Sequence, residues 1–222
     1  MATVRLRARD EHELDAYLAT PTGTVRGGLV VGQEMYGVNA YLRGVCDDYA
    51  REGYLTIAPA LYDRRQRGLT FGYTKADHAA GQVAYRSVTL DNSLEDLDAA
   101  RSVVAEAGKV GIVGFCWGGS LAWLSACRRS YDAAVAYYGA LMLDFADEVP
   151  RCPVIAHVGE KDNALPPERV AEFRIAQPSV PVHIYDDALH GFDNEGRAER
   201  YDAAAHRLAR ERTLAFLRRH VG

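Results

Sequence analysis

Three residue types in one chain order suggest nucleophilic chemistry on a carbonyl. Gly114-Phe115-Cys116-Trp117-Gly118-Gly119 sets a cysteine among glycines, after an apolar run at 110–113 and before a helix-forming stretch near Ser120. A nucleophile on a sharp strand-to-helix turn has strained backbone angles and needs nearly bare neighbours, which the glycines supply. The helix N-terminus beneath it favours a thiolate, the reactive form. Asp162 follows in Gly159-Glu160-Lys161-Asp162, and His190 in Leu189-His190-Gly191-Phe192. Nucleophile, then acid, then histidine is the order that an elbow nucleophile requires. Taken singly, Cys116 could be a buried structural thiol, Asp162 a turn residue or helix cap, and His190 a satisfied loop histidine. Their order and setting favour a triad over those readings.

The elements that must position these residues are legible in the apolar pattern. Period-2 alternation at 4–8, a turn-prone acidic stretch, and apolar positions at 14–18 predict an N-terminal hairpin. Short apolar runs at 28–31, 54–58, 110–113, 133–138, 154–158 and 182–185 then read as strands buried on both faces. Asn39 is placed to cap a helix with the stripe Leu42, Val45, Cys46 and Tyr49, stopped by Gly53. Ser93-Leu94-Glu95-Asp96 reads as the capping box of a second, with Leu97, Ala100, Val104 and Ala107 inward. Pro166 and Pro167 suit the first turn of a third, and Tyr201, Ala204, Ala205 and Leu208 start the last. Strand-helix alternation predicts an α/β fold: a mostly parallel, doubly wound sheet with helices on both faces, in a single domain over 1–222. Asp162 and His190 would then lie just past the carboxyl ends of strands, where such sheets place ligand sites. Residues 59–90 show no strong period and read either as a binding loop or as a surface excursion with a weak helix. His157 and His183 fall inside strands and are expected to be packed.

The chain has 222 residues, 48% of them hydrophobic and 25% charged, within the range of ordinary globular proteins. Its 26 basic and 30 acidic side chains give a net charge of −4, which supplies no positive field for unspecific nucleic-acid binding. The longest apolar run, 133–143, is too short for a membrane-spanning helix, and the N-terminus lacks the apolar core of a secretory signal. Cysteines at 46, 116, 127 and 152 form no Cys-x-x-Cys pair, so neither structural zinc nor a disulfide framework is expected. The expectation is a cytoplasmic enzyme with reduced thiols.

With these residues in view, the sequence resembles the dienelactone hydrolase (carboxymethylenebutenolidase) family of α/β hydrolases. The resemblance covers nearly the whole chain. Its most specific pieces are Gln33-Glu34-Met35-Tyr36-Gly37, Gly114-Phe115-Cys116-Trp117-Gly118-Gly119, the Asp162 segment and His190-Gly191-Phe192. It implies that Cys116 is the nucleophile, His190 the base and acid, and Asp162 the carboxylate that orients it. By the same resemblance Glu34 contacts the thiol and takes up its proton when an anionic substrate disturbs the Glu34 contacts. The oxyanion would rest on the backbone N–H groups of Trp117 and Met35.

For substrate recognition the resemblance implies arginines that hold a carboxylate. Arg64 matches one of them, with a solvated basic loop as the other reading, since Arg65 and Arg67 are its neighbours. The second family arginine falls at Asn194, which carries no charge, and Asp193 and Glu195 flank it; Arg197 could compensate only if the loop folds back. The implied function is a hydrolase that opens a lactone or cleaves an ester through a thioester acyl-enzyme. A broad carboxylesterase or thioesterase, and a non-catalytic ligand-binding relative, are the alternatives. The expected partner is a small ester or lactone, anionic or neutral, with no metal, cofactor, nucleic acid or membrane; a monomer or weak homodimer is expected.

Overall fold

A computed structural model describes residues 1–222. The chain forms two compact units, Met1–Gly111 with Val221–Gly222, and Ile112–His220.

In the first unit, β1 (Ala2–Arg7) and β2 (Glu13–Ala19) form the expected hairpin, antiparallel with Leu6 opposite Leu14. β3 (Gly27–Gly32) leads through α1 (Ala40–Arg51) to β4 (Tyr54–Pro59), and β3 and β4 pair in parallel. The strands lie in the order β1-β2-β4-β3. Every residue of β3 and β4 is buried, as their uninterrupted apolar runs require. Asn39 caps α1 by accepting from the Leu42 N–H, and Leu42, Cys46 and Tyr49 form its buried stripe.

Residues 59–90 are more ordered than their weak periodicity suggests. A 3₁₀ turn (Leu61–Arg64) is followed by α2 (Lys75–Tyr85), which opens on a reciprocal capping box between Thr74 and Asp77. The Thr74-x-x-Asp77 spacing was the available signal; only Gly81 and Ala84 of α2 are buried, so no apolar stripe advertises it. α3 (Leu90–Val104) begins earlier than expected. Its cap is Thr89, accepting from the Asn92 N–H, while Ser93 lies inside the helix and donates to the Thr89 carbonyl. Leu97, Ala100 and Val104 are inward as expected, but Ala107 sits in a 3₁₀ turn beyond the helix end.

β5 (Val110–Phe115) carries the chain into the second unit, where β5-β6-β7-β8 is the strand order. There α4 (Trp117–Arg128), β6 (Ala133–Tyr137), β7 (Val154–Gly159), α5 (Pro167–Ala176), β8 (Val182–Tyr185) and α6 (Ala203–His220) follow. β6, β7 and β8 pair in parallel, so the strands of the chain are mostly parallel and alternate with helices. Residues 117–127 of α4 are all buried, which explains why this helix is apolar all round rather than striped. The start of α6 corrects the sequence reading: Tyr201 precedes the helix, and the buried stripe is Ala205, Ala209, Thr213 and Leu217, with Leu208 exposed. No helix is long and apolar enough to cross a membrane.

Candidate active site

Cys116 stands alone between the end of β5 and the start of α4, with φ 53° and ψ −112°. For a residue with a Cβ this is a strained backbone, costing roughly 1–3 kcal/mol. Two backbone hydrogen bonds hold it: the Cys116 N–H donates to the Tyr137 carbonyl at 2.9 Å, and its carbonyl accepts from the Ser120 N–H at 3.1 Å. The flanking glycines are demanded by contact. A Cβ on Gly114 would overlap the Gly118 carbonyl, and one on Gly119 would overlap the Tyr137 carbonyl.

Asp162 lies three residues past the end of β7, in a turn closed by its own N–H on the Gly159 carbonyl. It is 2% exposed, and a buried carboxylate must be met by donors. Its Oδ1 accepts from the Ala164 N–H at 2.8 Å, and its Oδ2 lies 2.7 Å from His190 Nδ1. His190 comes from the loop after β8, and its Nε2 lies 3.0 Å from Cys116 Sγ. The Tyr138 ring packs edge-on against the imidazole, with centroids 5.1 Å apart.

The protonation of His190 follows from opposed effects. Burial alone pushes its pKa down. The negative charge of Cys116 and the hydrogen bond to Asp162 outweigh burial and push it up to about 10. Facing a thiolate and the Asp162 carboxylate, the ring is held as an imidazolium. Nδ1–H donates to Asp162 and Nε2–H to the Cys116 sulfur, so the tautomer question disappears.

The other residues singled out from sequence have their own settings. Trp117 is the first residue of α4. In the first unit, Glu34 follows β3 and is 3% exposed, and its carbonyl accepts from the Gly37 N–H. The Met35 carbonyl accepts from the Tyr62 hydroxyl at 2.9 Å. Arg64 is engaged within the chain: it forms a two-bond fork on buried Asp96, at 2.8 Å each, and a second fork on Asp10. To clamp a substrate carboxylate it would have to give up one of these pairings.

Asn194, fully buried, shapes the His190 loop instead of reaching outward. Its Oδ1 accepts from the Gly196 N–H and its carbonyl from the Arg197 N–H. The nearby Asp193 pairs with His206 of α6 at 2.9 Å and raises that histidine's pKa. Sequence reasoning missed Arg200, whose guanidinium reaches back to the His190 carbonyl at 3.4 Å. No motif marks it, because the loop's fold-back brings it there. No three His, Cys, Asp or Glu side chains converge in a way that could ligate a metal ion.

Residues 14–221 match the dienelactone hydrolase family. The chain belongs to that family. Among its relatives, the carboxymethylenebutenolidase of Pseudomonas putida is 33% identical over 226 residues, covering 96% of this chain and 94% of the relative. A carboxymethylenebutenolidase of Pseudomonas knackmussii matches to the same extent. The crystal structure of a candidate dienelactone hydrolase from Klebsiella pneumoniae superposes with a TM-score of 0.84 at 29% identity, covering 97% of this chain and 98% of that one. A Pyrococcus furiosus esterase, 17% identical with a TM-score of 0.71 over all of this chain and 93% of its own, shares the fold. This member of the dienelactone hydrolase family is thus an α/β hydrolase.

Proposed function

We propose that the protein hydrolyses small carboxylic esters or lactones through Cys116, His190 and Asp162, by way of a thioester acyl-enzyme. The observation that carries this reading is the unbroken line from Asp162 through the His190 imidazolium to the Cys116 sulfur, at 2.7 and 3.0 Å. In the first half-reaction the Cys116 thiolate attacks the carbonyl carbon, and the electron pair moves onto the carbonyl oxygen. By the family resemblance the backbone N–H groups of Trp117 and Met35 would be the donors for that developing charge. As the tetrahedral intermediate collapses, the C–O bond breaks and Nε2–H passes its proton to the leaving oxygen. A lactone opens at this step and keeps its alcohol on the acyl group.

The second half runs the proton back. Neutral His190 takes a proton from water, the hydroxide adds to the thioester carbonyl, and the C–S bond breaks to return the thiolate beside the imidazolium. Asp162 holds the ring and stabilises its charge in both halves. The family resemblance gives Glu34 the part of acceptor for a thiol proton, a step that belongs to an enzyme whose Cys116 is still a thiol; in the ion pair described here that proton is already on His190. A chemistry that depends on a free thiol suits a reducing compartment such as the cytoplasm.

The substrate class has two readings. Dienelactone, the substrate that the family name implies, is one. A broader esterase with no need for an anion is favoured by the two carboxylates already on Arg64 and by the inward, uncharged Asn194. The test is purified protein with cis-dienelactone and with neutral p-nitrophenyl esters, wild type against Cys116→Ala. Hydrolysis that disappears in the variant is expected; retained turnover in Cys116→Ala overturns the mechanism. A marked preference for the lactone would establish anion recognition, and turnover of the neutral esters alone would make the enzyme a general esterase.

A further inference from the structure

Behind the elbow lies a polar cluster that this chemistry does not use. His157 in β7 is fully buried. Its Nδ1 lies 2.7 Å from the Tyr185 hydroxyl and its Nε2 3.0 Å from the Thr213 hydroxyl, which in turn lies 2.7 Å from the Tyr137 hydroxyl. Burial, and then the positive charges of His183 and Arg212, hold the His157 pKa well below the ordinary value, so the ring is neutral. A neutral imidazole has one donor and one acceptor, so two hydroxyls satisfy it completely and the string of hydrogen bonds runs in one direction.

This string joins β6, β7, β8 and α6, and three of those elements deliver parts of the proposed triad. β7 ends three residues before Asp162 and β8 five residues before His190. The Tyr137 carbonyl in β6 accepts the Cys116 N–H, and the His157 carbonyl accepts the Tyr138 N–H at 2.8 Å. The rings complete the connection. Phe192, two residues past His190 and fully buried, has its centroid 5.0 Å from Tyr185, 5.4 Å from Tyr138 and 6.4 Å from Tyr137. The residue that anchors the histidine loop therefore rests on two tyrosines whose hydroxyls are tied together through Thr213 and His157.

We infer that His157 is a positioning residue of the triad: through the hydroxyls of Tyr185, Thr213 and Tyr137 it fixes the rings on which the His190 loop is seated. The inference rests on the Cys116-His190-Asp162 reading above. The charged and titratable groups facing His157 are His183 and Tyr185 from β8, Arg212 from α6 and Tyr137 from β6; His183 stacks on it with centroids 5.4 Å apart. Catalytic groups must be held to within about 0.5 Å, and a misplacement near 1 Å costs on the order of 100-fold in rate.

The test uses the full chain with Thr213→Val, which keeps the shape and removes the central hydroxyl, Thr213→Ser, which restores it, and Tyr185→Phe. Turnover of p-nitrophenyl acetate and the NMR titration of His190 are read in each, with Cys116→Ala alongside. Thr213→Val and Tyr185→Phe are expected to lower kcat by about tenfold or more while KM moves less than about twofold. Thr213→Ser is expected to return kcat to nearly the wild-type value, and the His190 titration should move down in the valine and phenylalanine variants as its partners loosen. Lower thermal stability with wild-type kcat and wild-type His190 titration would overturn the inference and leave His157 a purely structural residue. Should Thr213→Val not fold, Tyr185→Phe at the end of the string gives the same readout. Retained turnover in Cys116→Ala would be a failure of the catalytic reading instead, and the His190 titration alone would then support or overturn the positioning role.

Discussion

His190 Nε2 lies 3.0 Å from Cys116 Sγ, and the negative charge on that sulfur is the leading influence raising the imidazole's pKa against burial. Cys116→Ala removes the charge and the hydrogen bond together, while Asp162 remains. His190 should therefore titrate well below the wild-type protein in that variant. The imidazole resonances followed by NMR against pH check this. An unmoved titration would mean that Asp162 alone sets the charge, and the ion pair would lose its support.

Arg64 should behave as a structural ion-pair residue. Its side chain is 10% exposed, and Asp96 beneath it is completely buried. Removing one partner of a buried pair typically costs about 3–5 kcal/mol, because the other charge is stranded. Arg64→Ala is expected to lower Tm clearly. The deficit should shrink as pH falls, since burial already raises the Asp96 pKa and, without the arginine, the carboxyl can protonate instead. Thermal melts at several pH values test this. KM for an anionic ester measured on the folded variant separates it from the clamp reading; a large rise in KM without loss of Tm would restore Arg64 to the substrate.

Why the Cys116–His190–Asp162 line was legible in the sequence and the pairings of Arg64 were not follows from the range of each interaction. β5 and β7 are buried on both faces, so their runs are uninterrupted in sequence, and Cys116 and Asp162 follow them directly; β8, which precedes His190, was expected to be buried on both faces too, but only its Tyr185 is buried, as suits a strand at the end of the sheet order. The partners of Arg64 are 54 and 32 positions away, and nothing local points to them. The same pair explains the misplaced start of α3. Asp96, three residues after Ser93, resembles the acidic half of a capping box, but its carboxylate is committed to Arg64, and Thr89 does the capping. In α2, and at the Arg200 contact to His190, there was no apolar pattern to read.

Gly119 should be intolerant of any side chain. A Cβ there would run into the Tyr137 carbonyl, the same oxygen that accepts the Cys116 N–H. Gly119→Ala is therefore expected to displace the elbow and lower kcat by about 100-fold, together with a lower Tm. Gly44 is the control. It is exposed within α1 with nothing within 4 Å of a built Cβ, so Gly44→Ala should stabilise by about 0.5–1 kcal/mol and leave kcat alone. Equal kcat in the two variants would count against a rigid elbow.

The raised pKa of His190 also makes stability depend on pH in a definite direction. The unfolded chain binds this proton with a pKa of about 6.5, and the folded chain holds it up to about 10. The imidazolium, however, faces a thiolate, so the proton count must include both groups. Between about pH 6.5 and 8.5 the pair holds one proton in either state, on the imidazole when folded and on a cysteine thiol when unfolded, so its contribution is level. Above about 8.5 an unfolded thiol releases its proton while the folded imidazolium keeps its own up to about 10, so unfolding becomes easier as pH rises. His190→Gln removes this dependence. The difference in Tm between wild type and His190→Gln should therefore be level between about pH 6.5 and 8.5 and decline from there toward pH 10. A difference that grows between about pH 8.5 and 10, or that falls away already from about pH 6.5, would contradict an imidazolium–thiolate pair in the folded protein.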